Sequence, residues 1–230
     1  MGKKLIALVT GSNRGIGQAI ANKFEKEDIE VIRNGISDVS KKNYIRADVG
    51  NKSEVLQIKK YITKNFSGLD ILVNNAAYTK YVPHENLNGL SDDLINKILD
   101  INIKGPIYCT QVFKDLLQNS NEGQIINIAS IAGITGQGSN IVYCASKSAL
   151  INITKSLARS LSPTRVNAIS PGMIETGFVK FPDGYKDKTI LKTPLKRSGQ
   201  PDDIADVAWG LVQSKFITGE NIVVDGGLIL

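Results

Sequence analysis

Thr10-Gly11-Ser12-Asn13-Arg14-Gly15-Ile16-Gly17 is the stretch that decides how this chain folds. It follows the apolar run 5–9 and leads directly into residues 18–26, which read as a helix. Glycines at a strand-to-helix turn let backbone amides come close to a pyrophosphate, and the helix N-terminus behind them adds partial positive charge. A glycine cluster alone is an ordinary turn. Directly after the first apolar strand and directly before a helix, it reads as a phosphate-binding turn. Its spacing is Gly-x-x-x-Gly-x-Gly rather than the common Gly-x-Gly-x-x-Gly.

Outward from this turn, short runs rich in Val and Ile alternate with longer stretches of helical period, the pattern of a parallel sheet covered by helices. Strands are predicted at 5–10, 30–32, 44–46, 71–74, 124–129, 165–169 and 221–224. Several are continuous apolar runs, as strands buried on both faces require. Val55, Ile58, Ile62 and Phe66 recur at spacings of three and four and form one helical stripe, preceded by Asn51-x-x-Glu54, a capping-box pattern. Right-handed crossovers would wind the helices onto both faces. The expectation is an α/β chain, 1–230, forming a single doubly wound Rossmann domain with a mostly seven-stranded parallel sheet. Residues 176–200, with Pro182, Gly184, Pro194 and Gly199, are the least regular and are expected to form a substrate lid.

At 230 residues the chain is long enough to need no disulfide or metal staple. Its 42% hydrophobic and 22% charged residues match an ordinary globular balance, which excludes disordered and collagen-like classes. No apolar run approaches the ~20 residues of a membrane span. Met1-Gly2-Lys3-Lys4 and the five apolar residues after it are too short for a signal peptide, so a cytoplasmic protein without membrane partners is expected. Cys109 and Cys144 fall in helical segments and read as reduced core residues. With His84, which reads as a solvated loop residue, they hardly supply the three or four ligands of a zinc site, and no metal is expected. There is no Gly-x-Ser-x-Gly elbow and no P-loop. The net charge of +6 favours anionic partners, but its cations are scattered and form no basic helix interleaved with aromatics. A phosphate-bearing cofactor or an acidic substrate suits it better than nucleic acid.

The chemistry-bearing segment is Tyr143-Cys144-Ala145-Ser146-Lys147. On a helix the tyrosine and lysine stand one turn apart on one face, ~6 Å along the axis. A tyrosine near its reference pKa of ~10 is a poor proton donor at neutral pH, and a nearby ammonium is expected to lower it. Ser130 ends the buried run that precedes it, at the carboxyl end of a strand, where open α/β sheets place ligands.

These segments resemble the short-chain dehydrogenase/reductase family over nearly the whole chain. The resemblance is carried by Thr10-Gly11 to Gly17, Asp48-Val49, Asn74-Asn75-Ala76-Ala77, Ser130 with Tyr143-x-x-x-Lys147, Pro171-Gly172 with Ile174 and Thr176, and Val224-Asp225-Gly226-Gly227. It differs at Ala77, where the family usually has glycine. The resemblance implies that Tyr143 exchanges a proton with the substrate oxygen, Lys147 holds the nicotinamide ribose and lowers the tyrosine pKa, and Ser130 hydrogen-bonds the substrate oxygen. Asn102 would position a relay water. It also implies cofactor contacts from Gly11, Ser12, Asn13, Arg14, Gly15, Ile16, Gly17, Asp48, Val49, Asn75, Ala76, Pro171, Ile174 and Thr176. No acid occurs from Val31 to Ser37, where an NAD-binding fold places one, and Arg14 and Arg33 are expected to pair with a 2′-phosphate. NADP(H) is therefore expected over NAD(H), with Asp38 the residue that would reverse the choice. Residues 36–43 are too few for the helix the family has there. The general look is closest to 3-oxoacyl-[acyl-carrier-protein] reductases, acting on a ketone or acyl thioester, although residues 118–122 lack the cations such enzymes carry. A sugar or polyol dehydrogenase and a non-catalytic dinucleotide-binding regulator are the alternatives. The family's habits imply a homodimer or homotetramer, packed through the helices flanking the catalytic strand and through the last strand, where the apolar tail Leu228-Ile229-Leu230 suits an interface.

Overall fold

The computed structural model describes residues 4–39 and 42–230. Met1, Gly2 and Lys3 of the N-terminal reading, and Ser40 and Lys41 of the short 36–43 link, lie outside the described residues. Seven strands form one parallel sheet: β1 Ile6–Val9, β2 Glu30–Gly35, β3 Tyr44–Arg46, β4 Ile71–Asn74, β5 Gln124–Ile128, β6 Arg165–Pro171 and β7 Asn221–Val224. Their order is β3-β2-β1-β4-β5-β6-β7, so the winding reverses between β1 and β4. A crevice opens at the carboxyl ends of those two strands, and this is where such sheets bind ligands.

Strand alternation divides the core. Ala7, Val9, Val31, Ile71, Val73 and Ile126 face helices α1 Gly15–Lys26 and α8 Pro201–Gln213, packing on Ile20, Phe24, Ile204 and Leu211. Leu8, Ile32, Leu72, Ile125 and Val166 face the other way, against Ile58 and Ile62 of α2 Lys52–Asn65 and Phe113 and Leu117 of α4 Gly105–Gln118. Adjacent residues of one strand thus serve opposite cores, which explains why the strands are apolar throughout. The remaining helices are α3 Asp92–Leu99, α5 Ala132–Thr135, α6 Ile141–Ser160 and α7 Tyr185–Lys192.

Three local readings need correction. Helix α1 begins at Gly15, three residues before the predicted start, and β2 runs on to Gly35 because Arg33, Asn34 and Gly35 pair with Tyr44, Ile45 and Arg46. The capping box before α2 is only half formed. Asn51 accepts from Ser53 N at 3.1 Å, whereas Glu54 reaches back to accept from Asp48 N at 2.8 Å and Asn51 Nδ2 at 3.2 Å, not from the Asn51 backbone. The 176–200 segment is not irregular throughout, since it contains α7. Cys109 and Cys144 are free and buried on α4 and α6. Among the described residues no helix is long and apolar enough to cross a membrane.

Candidate active site

At the crevice, one hydroxyl fastens both loops. Thr10 Oγ1 donates to Val73 O at 3.1 Å and accepts from Asn75 N and Ala76 N, each at 3.0 Å. The Asn75 side-chain amide then donates to Thr10 O at 2.8 Å and Gly11 O at 3.0 Å. This bracing leaves no space for side chains in the turn: a Cβ on Gly17 would sit 2.3 Å from Asn75 Nδ2 and 2.6 Å from Gly11 O. Gly11 and Gly15 take φ of +63° and +57°, the left-handed region that favours glycine. The first turn of α1 holds no acidic residue, and Arg14 at its N-cap makes no side-chain cap. Its leading N–H groups are left for an external anion. Across the crevice stands Thr176, whose Cβ is 3.1 Å from a Cβ built on Gly15. A dinucleotide's pyrophosphate fits a turn of this kind.

The sequence-predicted cofactor residues divide accordingly. Ser12 is fully buried, and its hydroxyl accepts from Asn34 N at 3.1 Å. Ile16 packs into the α1 core, Val49 is buried against the site of Gly105, and Ala76 packs on the opposite core. The side chains of Ser12, Ile16 and Val49 therefore serve the fold, as does that of Asn75, and only their backbones are left for a ligand. Asp48 Oδ1 accepts from Gly50 N at 2.8 Å. Pro171 and Ile174 carry the chain from β6 towards Thr176, with Ile174 bridged to Gly199.

Arg33 is a correction. It is 6% exposed and lies under α1, donating to Glu25 Oε2 at 3.0 Å and Asn22 Oδ1 at 2.7 Å. Arg33 is in register with Val9, on the face that packs against α1, so its guanidinium points away from the ribose end of the crevice. Arg14 is exposed and donates one Nη1 bond, to Gly177 O at 3.1 Å. Asp38 pairs with Arg46 at 3.2 Å. At the end of β2, Asn13 Nδ2 donates to the Tyr44 hydroxyl at 3.0 Å, which donates to Ser37 O at 2.7 Å, while Asn13 Oδ1 is buried with no partner among the described residues.

The chemical groups gather beyond β5. Ser130 follows its end, held by Ile131 N donating to Pro171 O at 3.1 Å, and its Oγ accepts from Ala132 N at 3.1 Å. The short helix α5 then lies on α6 at Gly133, where a Cβ would meet the Lys147 carbonyl carbon at 2.5 Å. That close approach sets Ser130 beside Tyr143. Lys147 is 3% exposed, with Nζ donating to Ile128 O at 2.7 Å and lying 5.8 Å from the Tyr143 ring centroid.

The electrostatics differ from expectation. Burial lowers the Lys147 ammonium to about 7, and burial pushes the Tyr143 phenol up to about 12, with the Ser130 hydroxyl pulling it the other way. Tyr143 as a whole is only partly buried, so this pressure comes from the groups crowded around its hydroxyl. The predicted lowering of the tyrosine by the lysine is absent, because desolvation outweighs any attraction from an amine turned towards a backbone carbonyl.

Asn102 lies between the loop after β4 and α6. It sits in a π turn, Asp100–Lys104, joining α3 to α4. Its Nδ2 donates to Tyr78 O and to Ser146 Oγ, both at 3.0 Å, and its Oδ1 accepts from Tyr78 N at 2.8 Å. Ser146 passes the connection on, donating to Tyr143 O at 2.7 Å. The Asn102 side chain therefore ties the loop after β4 to α6. Sequence reasoning missed Ser146 and Gly133. The signal for Ser146 was a hydroxyl beside Lys147 in the chemistry-bearing segment.

A family model described as enoyl-(acyl carrier protein) reductase matches residues 11–229. A ketoacyl reductase assigned to the granaticin polyketide synthase of Streptomyces violaceoruber is 34% identical, over 96% of this chain and 95% of that protein. The 3-oxoacyl-[acyl-carrier-protein] reductase of Staphylococcus epidermidis is 33% identical over 97% and 98%. Among solved structures, Thermoplasma acidophilum aldohexose dehydrogenase superposes with a TM-score of 0.87 at 29% identity, covering 98% of this chain and 94% of that one. The chain belongs to the short-chain dehydrogenase/reductase family and is an NAD(P)-dependent oxidoreductase.

Proposed function

We propose that this short-chain dehydrogenase/reductase uses NADP(H) to interconvert a ketone and a secondary alcohol, with 3-oxoacyl thioesters as the substrate class. The observation that carries this is the meeting of Ser130, Tyr143 and Lys147 at the carboxyl edge of the sheet. When bound, the nicotinamide supplies the hydride. Tyr143 gives its hydroxyl proton to the carbonyl oxygen, and Ser130 donates a hydrogen bond to that same oxygen. Lys147, in its protonated form, favours the phenolate that Tyr143 leaves behind. Asn102 and Ser146 act through position, holding the backbone of Tyr143.

The thioester class is supported by the two ketoacyl reductases among the relatives. The aldohexose dehydrogenase among the structural neighbours favours a sugar as the second reading. NADP(H) is supported by the missing acid at the end of β2, by the engagement of Asp38 with Arg46, and by an exposed Arg14 at the turn. With Arg33 withdrawn, Arg14 is the guanidinium left for the 2′-phosphate. Absorbance at 340 nm with acetoacetyl thioester and each reduced cofactor tests both parts. NADPH should give a kcat/KM at least about tenfold above NADH, the size of one charge-assisted contact. Equal use of both cofactors would reject the cofactor assignment. Oxidation of an aldohexose with no reduction of the thioester would favour the sugar.

The same proposal includes a cytoplasmic homodimer or homotetramer. The free Cys109 and Cys144 suit a reducing compartment, and Val223 on the edge strand β7, with Phe216 and Leu230, exposes apolar surface. Sedimentation showing only monomer at micromolar concentration would reject the assembly.

A further inference from the structure

The loop after β4 and the turn before α6 form one wall beside Tyr143. Val82 N donates to Ser139 O at 2.8 Å, and Gly138 lies against the Tyr143 ring, 3.5 Å from a Cβ built there. Three polar side chains of this wall, Thr79, Ser139 and Asn140, are buried and bonded to one another. The Thr79 and Ser139 hydroxyls meet at 2.6 Å, and Asn140 donates to Thr79 Oγ1 at 3.0 Å and Lys80 O at 2.8 Å while accepting from Tyr143 N at 2.7 Å. They offer nothing to the hydroxyls of a sugar.

The 176–200 segment meets this wall through aromatic rings. The Phe178 ring centre is 6.4 Å from that of Tyr143. Phe181 stacks on Tyr185 at 4.4 Å with 4° between planes, and Tyr81 meets Phe181 edge-on at 5.7 Å. These rings, Tyr143 with Phe178 and Phe181 with Tyr185 and Tyr81, are all only partly buried. A core would bury such rings fully, whereas a binding wall leaves part of each face open.

We infer that the substrate carries a flat, apolar ring beside its carbonyl, and that Phe178, whose ring stands beside that of Tyr143, selects it; this rests on the ketone-reductase reading above. A ring seated against Phe178 brings the carbonyl oxygen to Tyr143 and Ser130 while its apolar surface leaves water. A saturated methyl in the same place has no face to stack, and a polyhydroxylated chain would lose hydration against the apolar face of Phe178.

The test compares kcat/KM for ethyl benzoylacetate and ethyl acetoacetate, which differ in phenyl against methyl, in the wild type, Phe178→Ala and Phe178→Leu, with D-glucose oxidation as a third arm. The wild type should prefer the phenyl ester by about tenfold, the scale of one aromatic contact together with its burial. Both variants should bring the ratio to within about threefold of unity, mainly through KM, and Phe178→Leu keeps the apolar volume should the alanine variant fail to fold. A wild type that reduces both esters equally, or a ratio unchanged in Phe178→Leu, would overturn the inference and leave the ketone-reductase reading standing. Glucose oxidised faster than either ester is reduced would also overturn it. Reduction of neither ester by a wild type that binds NADPH would sink that reading, and the inference with it.

Discussion

Lys147 Nζ donates to one carbonyl, Ile128 O, from a position almost sealed from solvent. A charged amine so placed loses hydration that one neutral acceptor does not replace, which is why its pKa falls to about 7. In the unfolded chain it returns to the ordinary lysine range near 10.4. Between about pH 7 and 10 the unfolded state therefore holds a proton that the folded state has lost, so this residue makes stability rise with pH, by at most about 1.4 kcal/mol per unit. Below pH 7 the penalty is complete and constant. Urea unfolding of the ligand-free wild type and Lys147→Met at pH 6.5, 8 and 9.5 checks this. Methionine should gain on the wild type most at pH 6.5 and progressively less above it, whereas a pH-independent difference would mean the amine is not desolvated as the structure implies. Arg33 shows what sequence left illegible at this scale. Its nearness to the end of β2 was readable, but which face it takes follows from strand register, and register placed it with Val9 under α1.

Among the elements, α5 and α6 give the clearest case of function by close packing. Four residues of helix after Ser130 lie so near α6 that Gly133 has backbone of Lys147 and Ser148 within 2.6 Å of any added Cβ. Gly133→Ala must push α5 away, at about 1–3 kcal/mol by the usual cost of overpacking. Because Ser130 and Tyr143 ride on the two parts being separated, kcat should fall by about 10²-fold or more, the penalty of an ångström's misplacement. Gly210→Ala in α8, where nothing lies within 4 Å, should leave kcat unchanged and stability equal or up to about 1 kcal/mol higher. Denaturant melts and steady-state rates compare the two; equal effects would contradict the role given to Gly133. The spacing from Ser130 to Tyr143 to Lys147 was visible in sequence because helix period and strand ends are local properties. The π turn at Asn102 was not, since it depends on Tyr78 and Ser146, 24 residues before and 44 after in the chain.

At the scale of the molecule, the reversal of winding between β1 and β4 opens the crevice, and the Thr10–Asn75 bonds hold its two sides at fixed separation. The glycine turn lies on one side of it, and the serine, tyrosine and lysine lie farther along the same carboxyl edge. A nicotinamide dinucleotide bound by the turn would reach those groups along that edge. The doubly wound parallel sheet was legible from the alternation of apolar runs and helical stretches, because parallel strands require crossovers. The lid was less so: its aromatic contacts with Tyr81 and Tyr143 join segments that are adjacent only in the folded chain. The central claim is that Tyr143 moves the proton while other parts of the site hold the cofactor. Measuring kcat for a reducible ketone and the NADPH dissociation constant in Tyr143→Phe separates the two. The account predicts a kcat lower by about 10²- to 10⁴-fold, with the dissociation constant within about twofold of wild type; a kcat near the wild-type value would contradict it.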